Sequence, residues 1–172
     1  WWIITKLRGS LKCFPITENY FTKNQELCDV IFGLGYATVN MSDICQFTLI
    51  GLYGTKLVGF GTGIKLRSGF YRNYKLSDNP IGILNIVGVD PEYRNRWVGV
   101  GIMQRIVDEL QPLEIYGFAW ENKGDVIAHS RLVSVGLKRI DRLKNHWRSD
   151  CDKGKFQCPS RIRVCTCVAV LY

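Results

Sequence analysis

No stretch of this 172-residue chain comes near the roughly eighteen uncharged apolar residues in a row that a membrane-spanning helix needs. No internal repeat, low-complexity segment or linker interrupts it. The opening "WWIITKLRGS" holds too short an apolar stretch for a secretory signal. The lack of an initial Met fits a processed chain or a piece of a longer one. Acidic residues are in the minority, 15 Asp and Glu against 23 Lys and Arg, for a formal net charge of +8. With 47% hydrophobic and 22% charged residues, the composition excludes a disordered chain and a coiled coil. One domain over 1–172, with a full core, is the expectation.

The basic excess is concentrated late. From Leu137 to Tyr172 there are nine Lys or Arg and three Asp or Glu, a local +6. Such an end suits either a polyanionic partner or a solvated surface. Cysteines number seven, an odd count, and no Cys-x-x-Cys occurs. Without a secretory signal, a reducing compartment is expected, hence a cytoplasmic protein without a disulfide framework. Cys13, Cys28 and Cys45 are scattered and read as small packed apolar residues.

The periodicity orders the chain as β-α-β-β-β-α-β-α-β-β, a mixed α/β domain. Residues near 2–8 suit a first strand. Thr17 is an N-cap candidate, and Tyr20, Leu27, Val30, Ile31 and Leu34 fall on one helical face up to the stop at Gly33 and Gly35. "FTLIGLY" and "KLVGFGTGIKL", parted by Gly54-Thr55, read as a hairpin. Residues 67–80 form a long loop mixing Arg and Tyr. Strand 81–90 is apolar almost throughout, as a strand covered on both faces should be. Val98, Ile102, Ile106, Val107 and Leu110 keep a helical period that Gln111-Pro112 ends. A strand at 113–120, a helix near 124–135 and two closing strands follow. The last two flank a Cys-rich basic loop at about 149–163.

At Arg94–Gly101, "RNRWVGVG", a strand hands over to a helix. The first N–H groups of a helix lack internal partners, and its dipole adds positive potential. Gly99 and Gly101 clear side chains from the backbone, and Arg94 and Arg96 can add charge-assisted contacts. The segment is neither a Walker A loop nor a Rossmann fingerprint. On physical grounds it is a phosphate or pyrophosphate cradle, or else a Gly-rich turn giving close helix packing.

"VDPEYRNRWVGVGIMQRIVDEL" resembles the central motif of the GCN5-related N-acetyltransferases. Their pattern is a strand ending in Val-x-Pro, then [RQ]-x-x-G-x-[GA], then a helix. Arg96, Gly99 and Gly101 fit it, with Val89 and Pro91 in place. The strand order is similar over nearly the whole chain. The resemblance implies a mostly antiparallel sheet with a V-shaped splay between two parallel strands, flanked by helices. It implies acetyl-CoA, or another acyl-CoA, in the cleft between strands 81–90 and 113–120. The pyrophosphate would rest on amides of Trp97, Val98, Gly99, Val100 and Gly101. The pantetheine arm would pair with backbone near Ile86, Val87 and Val89. Trp97 departs from the pattern, since many members have Gly there. An exposed Trp at that place could stack on the cofactor or substrate, or pack into the fold.

Acyl transfer to an amine needs a route for the amine proton, oxyanion donors, and often an acid for the leaving thiolate. In many members that acid is a Tyr four residues before the Gly of the last helix. Here the place holds Leu132, which has no proton to give. A subgroup has Ser six residues before the Gly, and this points to Ser130. No base is assigned: strand 81–90 has no carboxylate before Asp90, and Glu121, Asp125 and His129 lie after the next strand. Tyr116, Phe118 and Trp120 alternate and so share one strand face, suited to an acceptor pocket or to core.

Cys165-x-Cys167 places two thiols on one strand face, and the loop can bring Cys151 and Cys158 to them. Four thiolates suit tetrahedral structural zinc; free thiols or a disulfide fit the irregular spacing as well. The functional expectation is an acetyl-CoA-dependent N-acyltransferase with an amine acceptor. The alternatives are a related transferase acting on a nucleic-acid base or tRNA, and a non-catalytic module of this fold that binds nucleic acid or protein.

Overall fold

A computed structural model describes residues 11–34, 46–122, 124–153 and 167–172. The elements are β1 (Lys12–Pro15), α1 (Glu18–Phe32), β2 (Gln46–Tyr53), β3 (Lys56–Leu66), β4 (Phe70–Tyr71), β5 (Tyr74–Lys75), β6 (Ile81–Val89), α2 (Val98–Leu110), β7 (Glu114–Glu121), α3 (His129–Ser134), β8 (Asp141–Lys144), α4 (Arg148–Asp152) and β9 (Val168–Leu171). Seven strands form one sheet in the order β1-β2-β3-β6-β7-β9-β8. Every pairing in it is antiparallel except β6 with β7. Among the described residues no helix is long and apolar enough to cross a membrane.

Helix α2 is the keystone of one face. Its spacing puts Val98, Ile102, Met103, Ile106, Val107 and Leu110 inward, and all six are buried. Burying side chains of this size contributes about 1.5–3 kcal/mol each. The sheet accepts the helix closely because β3 is glycine-rich where they meet. A Cβ on Gly61 would lie 2.6 Å from Ile106 Cδ1 and 2.7 Å from Ile102 Cγ2, and one on Gly59 would lie 2.9 Å from Ile102 Cδ1. The alternating glycines of "KLVGFGTGIKL" thus act as a seat for a helix.

The other face carries α1. Cys28 packs with Ile50, Leu52, Phe60 and Ile86, and Tyr20, Leu27 and Ile31 close over them. Val30 and Leu34, expected on that face, are instead 71% and 80% exposed. The buried line runs through Asn24 and Cys28, and Leu34 lies beyond the helix end at Gly33, whose φ is +95°.

Other expectations need adjusting. The segment expected as a first strand at 2–8 lies outside the described residues; the edge strand seen is β1. The loop at 67–80 contains the small β4–β5 hairpin. The helix expected over 124–135 begins only at His129, because an Asn122–Asp125 bridge around Gly124 (φ +87°) first turns the chain back. Both closing strands are four residues long, and α4 occupies the start of the expected Cys-rich loop.

Candidate functional site

The parallel pair β6–β7 is short. It runs from Ile81↔Glu114 to Leu84↔Gly117 and stops. From Phe118 onward β7 pairs with β9 on its other side, while β6 stays with β3 to Val89. The strands therefore splay, and the facing edges of Asn85–Val89 and Phe118–Glu121 carry no ladder between them among the described residues. Open backbone edges of this kind can pair with an extended ligand bearing amides. The divergence coincides with a bulge: Thr62 faces Ile86 and Gly63 faces Leu84, so Asn85 is the extra residue.

Asn85 is held from three sides. Its Nδ2 donates to Gln46 Oε1 (3.1 Å) and Thr62 Oγ1 (3.3 Å), and its Oδ1 accepts from the Tyr71 hydroxyl (3.5 Å). Sequence reasoning passed over Asn85, although a lone polar residue in "IGILNIVGV" is a signal for it.

The β6–α2 connection is anchored. Asp90 Oδ1 accepts from the Glu92 N–H at 2.9 Å and caps a single 3-10 turn over Pro91–Tyr93. Glu92 pairs with Lys56 at 3.0 Å, and Lys56 lies over the Tyr93 ring at 4.6 Å. Arg96 covers Tyr93 at 5.4 Å, and Arg94 Nε donates to Val89 O at 3.4 Å. Asn95 and Trp97 both have positive φ, +60° and +63°. The α2 ladder begins with Gly101 N–H donating to Trp97 O at 2.9 Å. By helix geometry the N–H groups of Val98, Gly99 and Val100 have no carbonyl behind them. They lie at the end of the open β6 edge.

The two glycines differ in use. A Cβ on Gly101 would lie 2.8 Å from Leu11 Cδ2, so this glycine serves packing against the β1 edge. A Cβ on Gly99 would meet only Val89 Cγ2, at 3.3 Å. The helix start thus fits an anion, with Gly99 as the residue that keeps it open.

On the α1 face of the splay stands an aromatic wall. Tyr116 and Phe118 pack with Tyr71, Leu76 and Ile83, while Trp120 joins Trp147, Cys151 and Cys167. The shared strand face expected for Tyr116, Phe118 and Trp120 is thus largely filled with packing; the Tyr116 hydroxyl donates to Leu76 O at 2.9 Å. His146 is a second residue that sequence reasoning missed. It is buried, stacked on Phe118 and Tyr74, with Trp147 edge-on at 4.8 Å. Its Nδ1 has no hydrogen-bond partner. Burial, with the Arg72 charge beside it, drives its pKa down to about 4, against a smaller opposing pull from Asp150. Arg72 itself pairs with Asp150, tying the β4–β5 hairpin to α4. No spacing in the sequence announces this contact, which joins segments far apart in the chain.

Ser130 is exposed on the first turn of α3. Beside it His129 Nδ1 lies 2.7 Å from the hydroxyl of buried Tyr172. Glu121 is clamped by Arg142, whose hydrogen bonds hold its carboxyl below the usual range despite burial. Asp125 is exposed, and its backbone bonds that of Asn122 in the turn. Cys151 and Cys167 come together in one buried cluster. Cys158 and Cys165 lie outside the described residues, and among the described residues no group of three metal-ligating side chains forms. A surface hollow between Val107, Pro112, Ile115 and Leu137 lies at the far end of α2 and takes no part in the cleft.

No protein-family model matches the sequence, and no curated protein sequence does. Solved structures do match. Arabidopsis thaliana NAA60 in complex with acetyl-CoA superposes with a TM-score of 0.68 at 11% identity, over 94% of this chain and 96% of that one. Arabidopsis thaliana Naa50 in complex with the bisubstrate analogue CoA-Ac-MVNAL gives 0.63 at 16% identity, over 94% and 97%. The aminoglycoside 6'-N-acetyltransferase AAC(6')-Ih of Acinetobacter baumannii gives 0.60 at 16%, over 78% and 95%. At such identities the likeness is one of architecture, and with the splayed parallel pair and the anion-ready helix start it shows that this chain has the fold of the GCN5-related N-acetyltransferases.

Proposed function

We propose that the protein is an acetyl-CoA-dependent N-acyltransferase that delivers an acyl group to an amine. One observation carries the reading: β6 and β7 splay open, and the β6 edge left unpaired leads at Val89 to the unpartnered N–H groups at the start of α2. That arrangement matches a ligand with an anionic head and an amide-bearing arm. Trp97, Val98, Gly99 and Val100 would hold the pyrophosphate through backbone N–H groups, while that of Gly101 already bonds Trp97 O, and Arg94 and Arg96 are at hand. Ile86, Val87 and Val89 would pair with the arm. The acyl-CoA supplies an activated thioester carbonyl. Asn85 sets the bulge where β6 leaves β7, and so decides where that carbonyl would meet the α1 face. Ser130 Oγ is the candidate donor of a proton to the departing thiolate.

The solved neighbours include enzymes named for aminoglycoside acetylation and a complex with a peptide-bearing bisubstrate analogue. A small-molecule or peptide amine is therefore the acceptor class we favour. A nucleic-acid acceptor draws less support from the charges. Arg142 and Arg148 of the basic end, and Arg72 and Lys75 of the 67–80 loop, form ion pairs with Glu121, Asp152, Asp150 and Asp78. Arg161 and Arg163 lie outside the described residues. A gel-shift titration at low salt, free of any shift at micromolar protein, is the expected result.

The meeting of Cys151 and Cys167 supports half of a zinc set with Cys158 and Cys165, in a structural role. Native mass spectrometry after chelator-free purification decides it, since one bound zinc and four protected thiols are required together. For the reaction, the deciding experiment incubates the protein with acetyl-CoA and pooled amines and follows CoA release by mass. Release that depends on an amine, with an acetylated product of matching mass, is expected. Absence of both across aminoglycosides, peptides and polyamines would overturn the assignment.

A further inference from the structure

We infer that Trp97 is a base-stacking platform for the nucleotide end of the acyl-CoA, an inference that rests on the cofactor reading above. A large side chain at φ +63° is costly, because in the left-handed region Cβ crowds the following carbonyl. The cost is not offset by burial, since Trp97 is 67% exposed. Nor is it offset by a neighbour: among the described residues no ring or cation lies on the indole. Tyr93, four residues earlier, shows the contrast, for it is covered by Tyr53, Lys56 and Arg96. Of the two aromatics in the β6–α2 connection, one is consumed in the fold and the other presents a bare face.

The position of that face selects its ligand. Trp97 immediately precedes Val98, whose N–H is the first of the unpartnered groups at the start of α2. A pyrophosphate held there is one ribose away from an adenine. Adenine and indole are flat and polarisable, and such stacks contribute about 1–3 kcal/mol per base. Glycine would satisfy the backbone at this place more cheaply, so the indole is explained by a ligand and not by the turn.

The test compares wild type with Trp97→Gly and Trp97→Phe, using two ligands. One is acetyl-CoA; the other is S-acetylphosphopantetheine, which keeps the acyl arm and one phosphate but lacks the adenosine. Affinities are read by calorimetry, and thermal stability by melting without ligand. W97G should bind acetyl-CoA about five- to 150-fold more weakly. It should bind the truncated thioester as wild type does and melt at the same or a higher temperature. W97F should fall between wild type and W97G for acetyl-CoA. Acetyl-CoA quenching of tryptophan fluorescence should shrink in both variants. Equal acetyl-CoA affinity in wild type and W97G would overturn the inference. So would a parallel loss for both ligands, which would mean that the Trp shapes the cradle backbone. A wild type that binds neither ligand would sink the cofactor reading itself, and this inference with it.

Discussion

Phe118 and His146 lie face to face, their ring centroids 4.6 Å apart and their planes 11° from parallel. The contact joins β7, at the point where it leaves β6, to the turn before α4. Tyr74 stacks on the same imidazole at 5.3 Å, so the β4–β5 hairpin is drawn in as well. A neutral ring suits this place and a cation does not, because Arg72 stands beside it and water is excluded.

Acid should therefore loosen this corner. The folded pKa of about 4 lies below the ordinary value of 6.5, so the unfolded chain takes up this proton first. The stabilisation is complete above about pH 6.5 and is lost as pH falls towards 4. His146→Phe keeps the stack and removes the titration. Its denaturation midpoint should be flatter than that of wild type between those limits. Identical pH profiles for the two proteins would show that His146 is not buried neutral.

Gly99→Val should weaken acetyl-CoA binding by tenfold or more. Its Cβ has room for the helix to persist, with only Val89 Cγ2 in tight contact. The added methyls would crowd the ligand side of the first turn, while stability should change by less than about 1 kcal/mol. Calorimetry beside a denaturant melt separates the two effects.

Gly61→Ala should act in the opposite sense, on the fold. The new methyl would press on Ile102 and Ile106 and lie 3.2 Å from the Ile86 carbonyl oxygen. Overpacking of this kind costs typically 1–3 kcal/mol. Urea denaturation should show a lower midpoint with an unchanged slope.

Ser130→Ala should lower kcat on the order of a hundredfold if its hydroxyl protonates the thiolate, with acetyl-CoA affinity preserved. The variant should be rescued with an acyl thioester of a more acidic thiol, whose leaving group needs no proton. Equal loss on both thioesters would assign the proton elsewhere.

Much of the architecture was legible without coordinates. The 3.6-residue period of α2, the apolar run of β6 and the Gly54-Thr55 turn are local signals, and each appears where the periodicity puts it. The strand-to-helix handover at 94–101 was legible for the same reason: it belongs to consecutive residues. The ends of α3, β8 and β9 were not, because short elements are held by partners and not by their own propensity.

What the sequence by itself determined is the order of the longer elements from α1 to β7 and the strand-to-helix handover at Arg94–Gly101, both consequences of neighbours along the chain. Only the tertiary structure decided the site around it. Asn85 becomes the bulge because β3 and β6 pair out of step there. Gly101 faces Leu11, whereas a side chain on Gly99 would meet only Val89. Arg142 and Arg72, countable as free charge in the sequence, are bound by Glu121 and Asp150. His146 meets Phe118 and Tyr74 although 28 and 72 positions separate them from it in the chain. Packing of distant segments sets such contacts, and no local pattern encodes them.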